Sequence, residues 1–113
     1  MTRDEGLALA LDLPETTAAP HFDRTAVKVV KGRILATFGA AGDMNVKLTP
    51  DEQDVFAGRA PGIVSPVAGG WGRQGWTRVA LAEADRPLVL SLLRSAWRGA
   101  APAKLLAAHP PAT

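Results

Sequence analysis

The chain has 113 residues, of which 47% are hydrophobic and 21% are charged, and this composition is typical of one globular domain with a single core. The formal net charge of +2 does not require a polyanionic partner. Because the chain contains no cysteine, disulfide scaffolds, thiolate metal sites and thiol nucleophiles are excluded.

The start of the chain, with Arg3, Asp4 and Glu5, does not resemble a signal peptide. No apolar run approaches the roughly 20 residues that are needed to span a bilayer. The absence of cysteine agrees with a reducing compartment. We therefore expect a cytoplasmic protein that has no membrane partner.

The first predicted element is a helix over residues 3–13. Thr2 and Glu5 have the spacing of a capping box, in which each side chain accepts a hydrogen bond from the backbone N–H of the other residue. Leucines then recur four positions apart until Pro14 ends the pattern. The segment 14–24 is predicted to be a loop.

Three strands of an antiparallel meander are predicted next, over residues 25–30, 33–38 and 44–48. Apolar residues alternate along each strand, which indicates one buried face. Lys31 and Gly32 alone link the first two strands, which favours a tight hairpin turn. The residues expected to point inward are Val27, Val29, Ile34, Ala36, Phe38, Met44, Val46 and Leu48.

Two later helices have clear boundary signals. Thr49, Pro50 and Glu52 form a second capping box, with proline at the first helical position of a short helix. The last long helix is predicted over residues 86–98, where apolar residues form one broad stripe that includes a tryptophan. Gly99 is predicted to be its C-cap.

The remaining elements are short. A brief strand at 63–65, a Gly-rich loop at 66–75 and a strand at 76–81 lie between the two helices, and a final helix covers 102–108. The resulting order is α-β-β-β-α-(β)-β-α-α. We therefore predict one α+β domain over residues 1–113, in which helices cover one face of a four- to five-stranded antiparallel sheet.

The Gly-rich segment matches the pattern G-x-G-x-x-G at residues 70–75. A dinucleotide site needs a strand before this pattern and a helix after it, whereas here a strand follows and Pro66 precedes. We therefore expect a loop with unusual backbone angles, which could present Trp71 and Arg73 to a partner.

Other candidates for catalysis or metal binding have simpler explanations. His21 and Asp23 could form a general base and its orienting carboxylate, but no nucleophile is evident, so a locally hydrogen-bonded histidine is favoured. The helix dipole explains the acidic residues at one helix start, which are Asp51, Glu52 and Asp54. We expect no enzyme, no cofactor and no metal.

The charge distribution is more informative than the total charge. The predicted strands contain basic residues and no acidic ones, and each basic residue alternates with the core positions. The outer sheet face is predicted to carry Lys28, Arg33, Asn45, Lys47, Trp76 and Arg78. A basic face with an aromatic platform favours nucleic-acid binding, although strands generally have few acidic residues and lysine commonly protects exposed edges.

The chain resembles the MmcQ/YjbR family in several short runs between about residues 5 and 107. The Gly-Trp-Gly block is the most specific of them. The runs are APHF at 19–22, GRILAT at 32–37, NVKL at 45–48, PDEQ at 50–53, GGWGRQGWT at 69–77, and a helix that ends in Ala96 and Trp97.

This resemblance implies a frataxin-like α+β fold, which is also described as a double-wing motif. It also implies a bacterial cytoplasmic protein with the label of a DNA-binding protein, although that label rests on fold analogy. Iron binding is not implied, because the acidic residues are scattered over helix starts and turns. The family brings no established catalytic residues.

The leading hypothesis is a non-enzymatic, monomeric DNA-binding domain. Its contact residues are predicted to be Lys28, Arg33, Lys47, Trp71, Arg73, Trp76 and Arg78. The alternative is a protein- or small-ligand-binding module. In that case Phe22 and the two tryptophans would line a groove, with His21 and Arg73 as polar contacts.

Overall fold

The computed structural model describes residues 1–110, and the predicted domain limits of 1–113 therefore extend past the described residues. The elements in chain order are α1 (Arg3–Leu11), β1 (Thr16–His21), β2 (Arg24–Val29), β3 (Ile34–Gly39), β4 (Asp43–Lys47), α2 (Pro50–Arg59), β5 (Val64–Pro66), α3 (Gly70–Arg73), β6 (Trp76–Ala80), α4 (Arg86–Ala100) and α5 (Ala103–Ala108). Within these residues, no helix has the length and apolar character that crossing a bilayer requires.

The strands of the described chain form one six-stranded sheet in the order β1-β2-β3-β4-β6-β5. All neighbouring strands run antiparallel. Helices α1, α2 and α4 pack against the sheet through a shared core. The predicted α+β class and the antiparallel sheet are confirmed, but the sheet has more strands than the four or five predicted.

The additional strand is β1, and the prediction of a loop over 14–24 was wrong. β1 pairs with β2 over its full length, from Thr16 opposite Val29 to His21 opposite Arg24. Five of its six residues are exposed, so the strand has no apolar alternation that the sequence could reveal. Pro20 is tolerated because an edge strand has a free side that needs no N–H donor.

The core lies between the sheet and the helices. Val27, Phe38, Met44 and Val79 are completely buried on the sheet side. The helix side is formed mainly by the apolar stripe of α4, as predicted, with Val89, Leu92, Leu93, Ala96 and Trp97. The indole Nε1–H of Trp97 donates to the backbone oxygen of Pro14 at 2.8 Å, so the one polar atom of this ring is paired.

A β-bulge corrects the predicted inward face of β3. The register between β2 and β3 shifts at Val27 and Lys28, and Lys28 then pairs with Ile34. Ile34 is half-buried, whereas its neighbour Leu35 is completely buried. The bulge therefore places Leu35 in the core, where Ile34 was expected.

Both predicted capping boxes are present, at Thr2 with Glu5 and at Thr49 with Glu52. The backbone N–H of Thr2 donates to the Glu5 carboxylate, which lowers the pKa of Glu5 below its ordinary value. Gly99 was wrongly predicted as a C-cap, because α4 continues to Ala100. The tight packing of Ala96 and Ala100 against the core holds this last turn in the helix.

The Gly-rich segment is also more regular than predicted. Pro66 belongs to β5, and residues 70–73 form the single helical turn α3. Gly69 before this turn and Gly75 after it have positive φ angles of 76° and 101°. The unusual backbone angles that were expected are therefore concentrated at the two ends of a helical turn.

Candidate functional site

One face of the sheet points away from the core, and we call it the open face. Strand register places residues of four neighbouring strands on it, because alternate residues of a strand point to opposite sides. The central residues of the open face are Lys28, Ile34, Thr37, Asn45, Lys47, Trp76 and Arg78.

Most of the predicted contact residues lie together on this face. Asn45 is opposite Arg78, and Lys47 is opposite Trp76, on the adjacent strands β4 and β6. Lys28 lies on β2, two strands away from β4. Lys28 and Arg78 are exposed, while Lys47 is half-buried and its Nζ donates to the backbone oxygen of Leu48 at 3.2 Å.

Arg33 and Arg73 lie at the margins of the open face. Arg33 precedes β3, and its backbone N–H donates to the oxygen of Ala100 at 3.1 Å. Its side chain lines a separate depression at the end of the sheet together with Lys47 and Glu52. Arg73 is exposed at the end of α3. These two arginines extend the basic surface without belonging to its centre.

The open face carries an acidic residue, which contradicts the prediction of strands without acids. Asp43 is the first residue of β4, one position before the strand predicted over residues 44–48. Arg24, which had been assigned to a loop, donates from Nη1 to Asp43 Oδ2 at 3.0 Å. It also donates from Nε to Thr37 Oγ1 at 2.8 Å and from Nη2 to the Thr37 backbone oxygen at 3.1 Å. This network joins β2, β3 and β4 and neutralises the carboxylate.

A pocket of about 310 Å³ opens on this face, and its lining is mostly apolar. The residues that line it are His21, Phe22, Asp23, Arg24, Ile34, Thr37, Asn45, Val67, Trp71 and Trp76. The fold thus brings together four of the five residues of the alternative hypothesis, namely the three aromatic residues and His21. Arg73, the fifth, does not line the pocket.

The aromatic residues of the pocket differ in exposure. Trp71 is 63% exposed on α3, and Phe22 is 94% exposed at the turn between β1 and β2. The rings of His21 and Phe22 meet edge to face, with their centroids 4.9 Å apart. Trp76 is half-buried on β6. Exposed aromatic residues grouped around one concavity mark a candidate binding site.

One buried polar atom of the pocket residues is unpaired. Asn45 Oδ1 is buried and has no hydrogen-bond partner among residues 1–110. A buried acceptor without a donor is unfavourable, so such an atom in a pocket residue indicates a place where a ligand could donate. Within the same range, no group of three or more His, Cys, Asp or Glu residues is arranged to hold a metal ion.

Gln53 fixes the position of residues 71–76, which we call the tryptophan segment because Trp71 and Trp76 lie at its ends. This role of Gln53 was not predicted from the sequence. Its buried Nε2 donates to the backbone oxygens of Gly72 at 3.1 Å and Trp76 at 3.0 Å, and to Thr77 Oγ1 at 3.1 Å. The available signal was its position three residues before Phe56, on the buried side of α2. A polar residue on that side needs buried partners.

The fold and this site define a small α+β domain in which a six-stranded antiparallel sheet has helices on one side and a pocketed, partly basic face on the other. The family model named YjbR matches residues 11–99. The chain therefore belongs to the YjbR family, as its short sequence runs indicated.

A solved structure has the same fold. The crystal structure of Deinococcus radiodurans protein DR2400, described as a DUF419 domain, matches with a TM-score of 0.71 and 20% sequence identity. The match covers 99% of this chain and 82% of the other. No curated protein matches the sequence. The likeness therefore establishes the architecture, and the function is argued from the site.

Proposed function

We propose that this protein binds DNA through the open face and the α3 turn, without catalysing a reaction. The observation that carries the proposal is the arrangement of Lys28, Lys47 and Arg78 on one side of the sheet. Among residues 1–110, none of these three cations forms an ion pair. Unpaired cations on a shared surface attract the phosphate backbone by releasing its condensed counterions.

The spacing of the strands supports this proposal. Neighbouring strands lie about 4.8 Å apart, so β2 and β4 are separated by about 10 Å, and β6 is adjacent to β4. A strand of DNA that crosses these strands could place successive phosphates near Lys28, Lys47 and Arg78. Arg33 and Arg73 at the margins would extend the same path. We propose that the protein does this as a monomer in the cytoplasm.

The first test is the anisotropy of labelled duplex and single-stranded DNA across a salt series. We expect saturable binding whose log affinity falls linearly with log salt. For three to five phosphate contacts, the slope should be about −2 to −4.5, depending on whether the DNA is single-stranded or duplex. No binding at low salt would refute the proposal.

A charge-reversal pair locates the surface. The double variant Lys47→Glu, Arg78→Glu should abolish DNA binding, because it turns two attractive contacts at the centre of the open face into repulsive ones. The matched control, Arg59→Glu with Arg94→Glu, makes the same change in net charge on exposed residues of α2 and α4. Circular dichroism should show that both proteins remain folded. Unchanged affinity in the first variant would rule out this surface.

A second candidate function is a protein- or small-ligand-binding module. The observation that favours it is the pocket, because Phe22, Trp71, Trp76 and His21 line one mostly apolar concavity. This function predicts an affinity that barely depends on salt, since apolar contacts dominate it. The salt series therefore discriminates between the two candidates.

A further inference from the structure

We infer that the pocket on the open face takes one unpaired base of single-stranded DNA, with a preference for bases that carry an exocyclic amino group. This inference rests on the proposed function, because it names the form of nucleic acid that the same face binds. The occupant follows from four features of the pocket, which are its size, its aromatic walls, its unpaired acceptors and its charge.

The size and walls of the pocket suit a single planar ring system. Its volume of about 310 Å³ lies near the lower limit for small-molecule sites, which run from about 300 to 1,000 Å³. Trp71 and Trp76 contribute from two different elements, α3 and β6. Aromatic rings beside a basic surface are the usual stacking platforms for the bases of single strands.

The polar atoms of the pocket favour a ligand edge that donates hydrogen bonds. Asn45 Oδ1 is a buried acceptor without a partner among residues 1–110. Asp23 supplies a second acceptor, since its exposed carboxylate forms no ion pair in the same range. Thr37 contributes little, because Arg24 already occupies both its Oγ1 and its backbone oxygen. An exocyclic amino group, as in cytosine or adenine, carries two N–H donors and can serve both acceptors, whereas an unpaired thymine has the single N3–H donor and can serve only one.

The distribution of charge separates the base from the backbone. Of the charged residues that line the pocket, Arg24 is neutralised by its ion pair with Asp43, and Asp23 leaves a negative excess that repels phosphate. The unpaired cations Lys28, Lys47 and Arg78 are not among the residues that line it. This distribution of charge suits a neutral base inside the pocket and phosphates on the basic surface around it. A base in a duplex would first have to unpair and unstack, which favours single strands.

The test compares labelled oligo-dC, oligo-dT and a duplex of equal length. We expect oligo-dC to bind more tightly than oligo-dT, and both to bind more tightly than the duplex. Trp71→Ala should weaken single-strand binding by about 5- to 150-fold, the loss expected for one stacked base, and should change duplex binding little. Val55→Ala, which truncates an exposed residue on α2, is the control and should change neither.

Asn45→Leu has a different expected effect, because leucine keeps the size of the side chain and removes the acceptor. It should remove the preference for oligo-dC over oligo-dT and leave oligo-dT binding unchanged. Equal binding of oligo-dC and oligo-dT by the wild type, or no effect of Trp71→Ala, would overturn the inference.

Two further outcomes separate this inference from the proposed function. If DNA binds with the expected salt dependence but shows no single-strand preference, only the base pocket is refuted. If no DNA binds at low salt, the proposed function fails and the inference fails with it. Deoxycytidine monophosphate that binds as tightly as oligo-dC would identify a free nucleotide as the occupant, which also contradicts the inference.

Discussion

Single glycines make it possible for the tryptophan segment to lie against the sheet. Gly75 has a φ angle of 101°, and a Cβ atom at this position would overlap the backbone oxygen of Leu48. A Cβ atom on Gly72 would overlap the oxygen of Val67 in the same way. The backbone at both positions therefore approaches a neighbouring chain segment more closely than any other residue allows.

We expect Gly75→Ala to lower the free energy of unfolding by about 1–3 kcal/mol through backbone strain alone, with the overlap at Leu48 adding to this loss. Gly58→Ala is the matched control, since Gly58 lies within α2 and has open space around its Cβ position. This control should raise the free energy of unfolding by about 0.5–1 kcal/mol, because alanine favours the helix. Urea unfolding followed by circular dichroism measures both. Equal effects of the two substitutions would contradict this explanation.

At the scale of elements, Gln53 connects α2 to both α3 and β6. Its side chain amide contacts two backbone oxygens and one hydroxyl, and all three lie in the segment that carries Trp71 and Trp76. The capping box at Thr49 fixes where α2 begins, and therefore which side of the helix Gln53 occupies. A helix start thus determines the position of a segment more than twenty residues further along the chain.

Gln53→Met should keep the packing but remove both N–H donors. We expect the free energy of unfolding to fall by about 1–3 kcal/mol, from two hydrogen-bonding groups at about 0.5–1.5 kcal/mol each. Gln74→Met makes the same chemical change at an exposed residue and should have almost no effect. Denaturant titration of both variants tests this, and an equally small effect at the two positions would show that the amide is not important for stability.

The elements that the sequence predicted well are those with an apolar pattern or a capping signal. β2, β3, β4, β6, α1, α2 and α4 have such signals, whereas the exposed edge strand β1 and the single helical turn α3 have none. The ion pair between Arg24 and Asp43 was not predicted for the same reason, because both residues lie outside the predicted strands. Local patterns indicate which residues are buried, but they do not indicate which polar residues pair with each other.

The pocket could be predicted only as a grouping of residue types. Its walls come from the β1–β2 turn, from the middle of the sheet and from the α3 segment. These parts meet because β6 pairs with β4, and the sequence alone does not specify that strand order. The bulge beside Lys28, which turns Ile34 toward the pocket, also has no distinct sequence signal.

At the scale of the whole molecule, one core joins residues from nearly the entire described chain. The buried cluster extends from Leu9 in α1 to Ala100 in α4 and includes residues of β2 to β6. The amino terminus is also attached, since the amino group of Met1 donates to the backbone oxygen of Leu81 at 2.6 Å. A shared core of this kind favours cooperative unfolding.

We therefore expect a single thermal transition in which the calorimetric enthalpy equals the van't Hoff enthalpy. The heat-capacity change should be about 1.4–1.7 kcal/mol/K, from about 12–15 cal/mol/K for each of the 113 residues. Differential scanning calorimetry measures both quantities. Two separate transitions would show that the chain contains more than one folding unit, contrary to the single domain that we predict.

The three tryptophans also give the molecule a built-in optical reporter. The sequence has no tyrosine, so ultraviolet emission excited at the red edge comes from Trp71, Trp76 and Trp97. Trp97 is only 4% exposed and is hydrogen-bonded inside the protein, whereas Trp71 is 63% exposed at the pocket. A soluble quencher therefore reaches one indole well before the other. Ligand binding at the pocket and unfolding of the core should consequently change the fluorescence of the unlabelled protein in different ways.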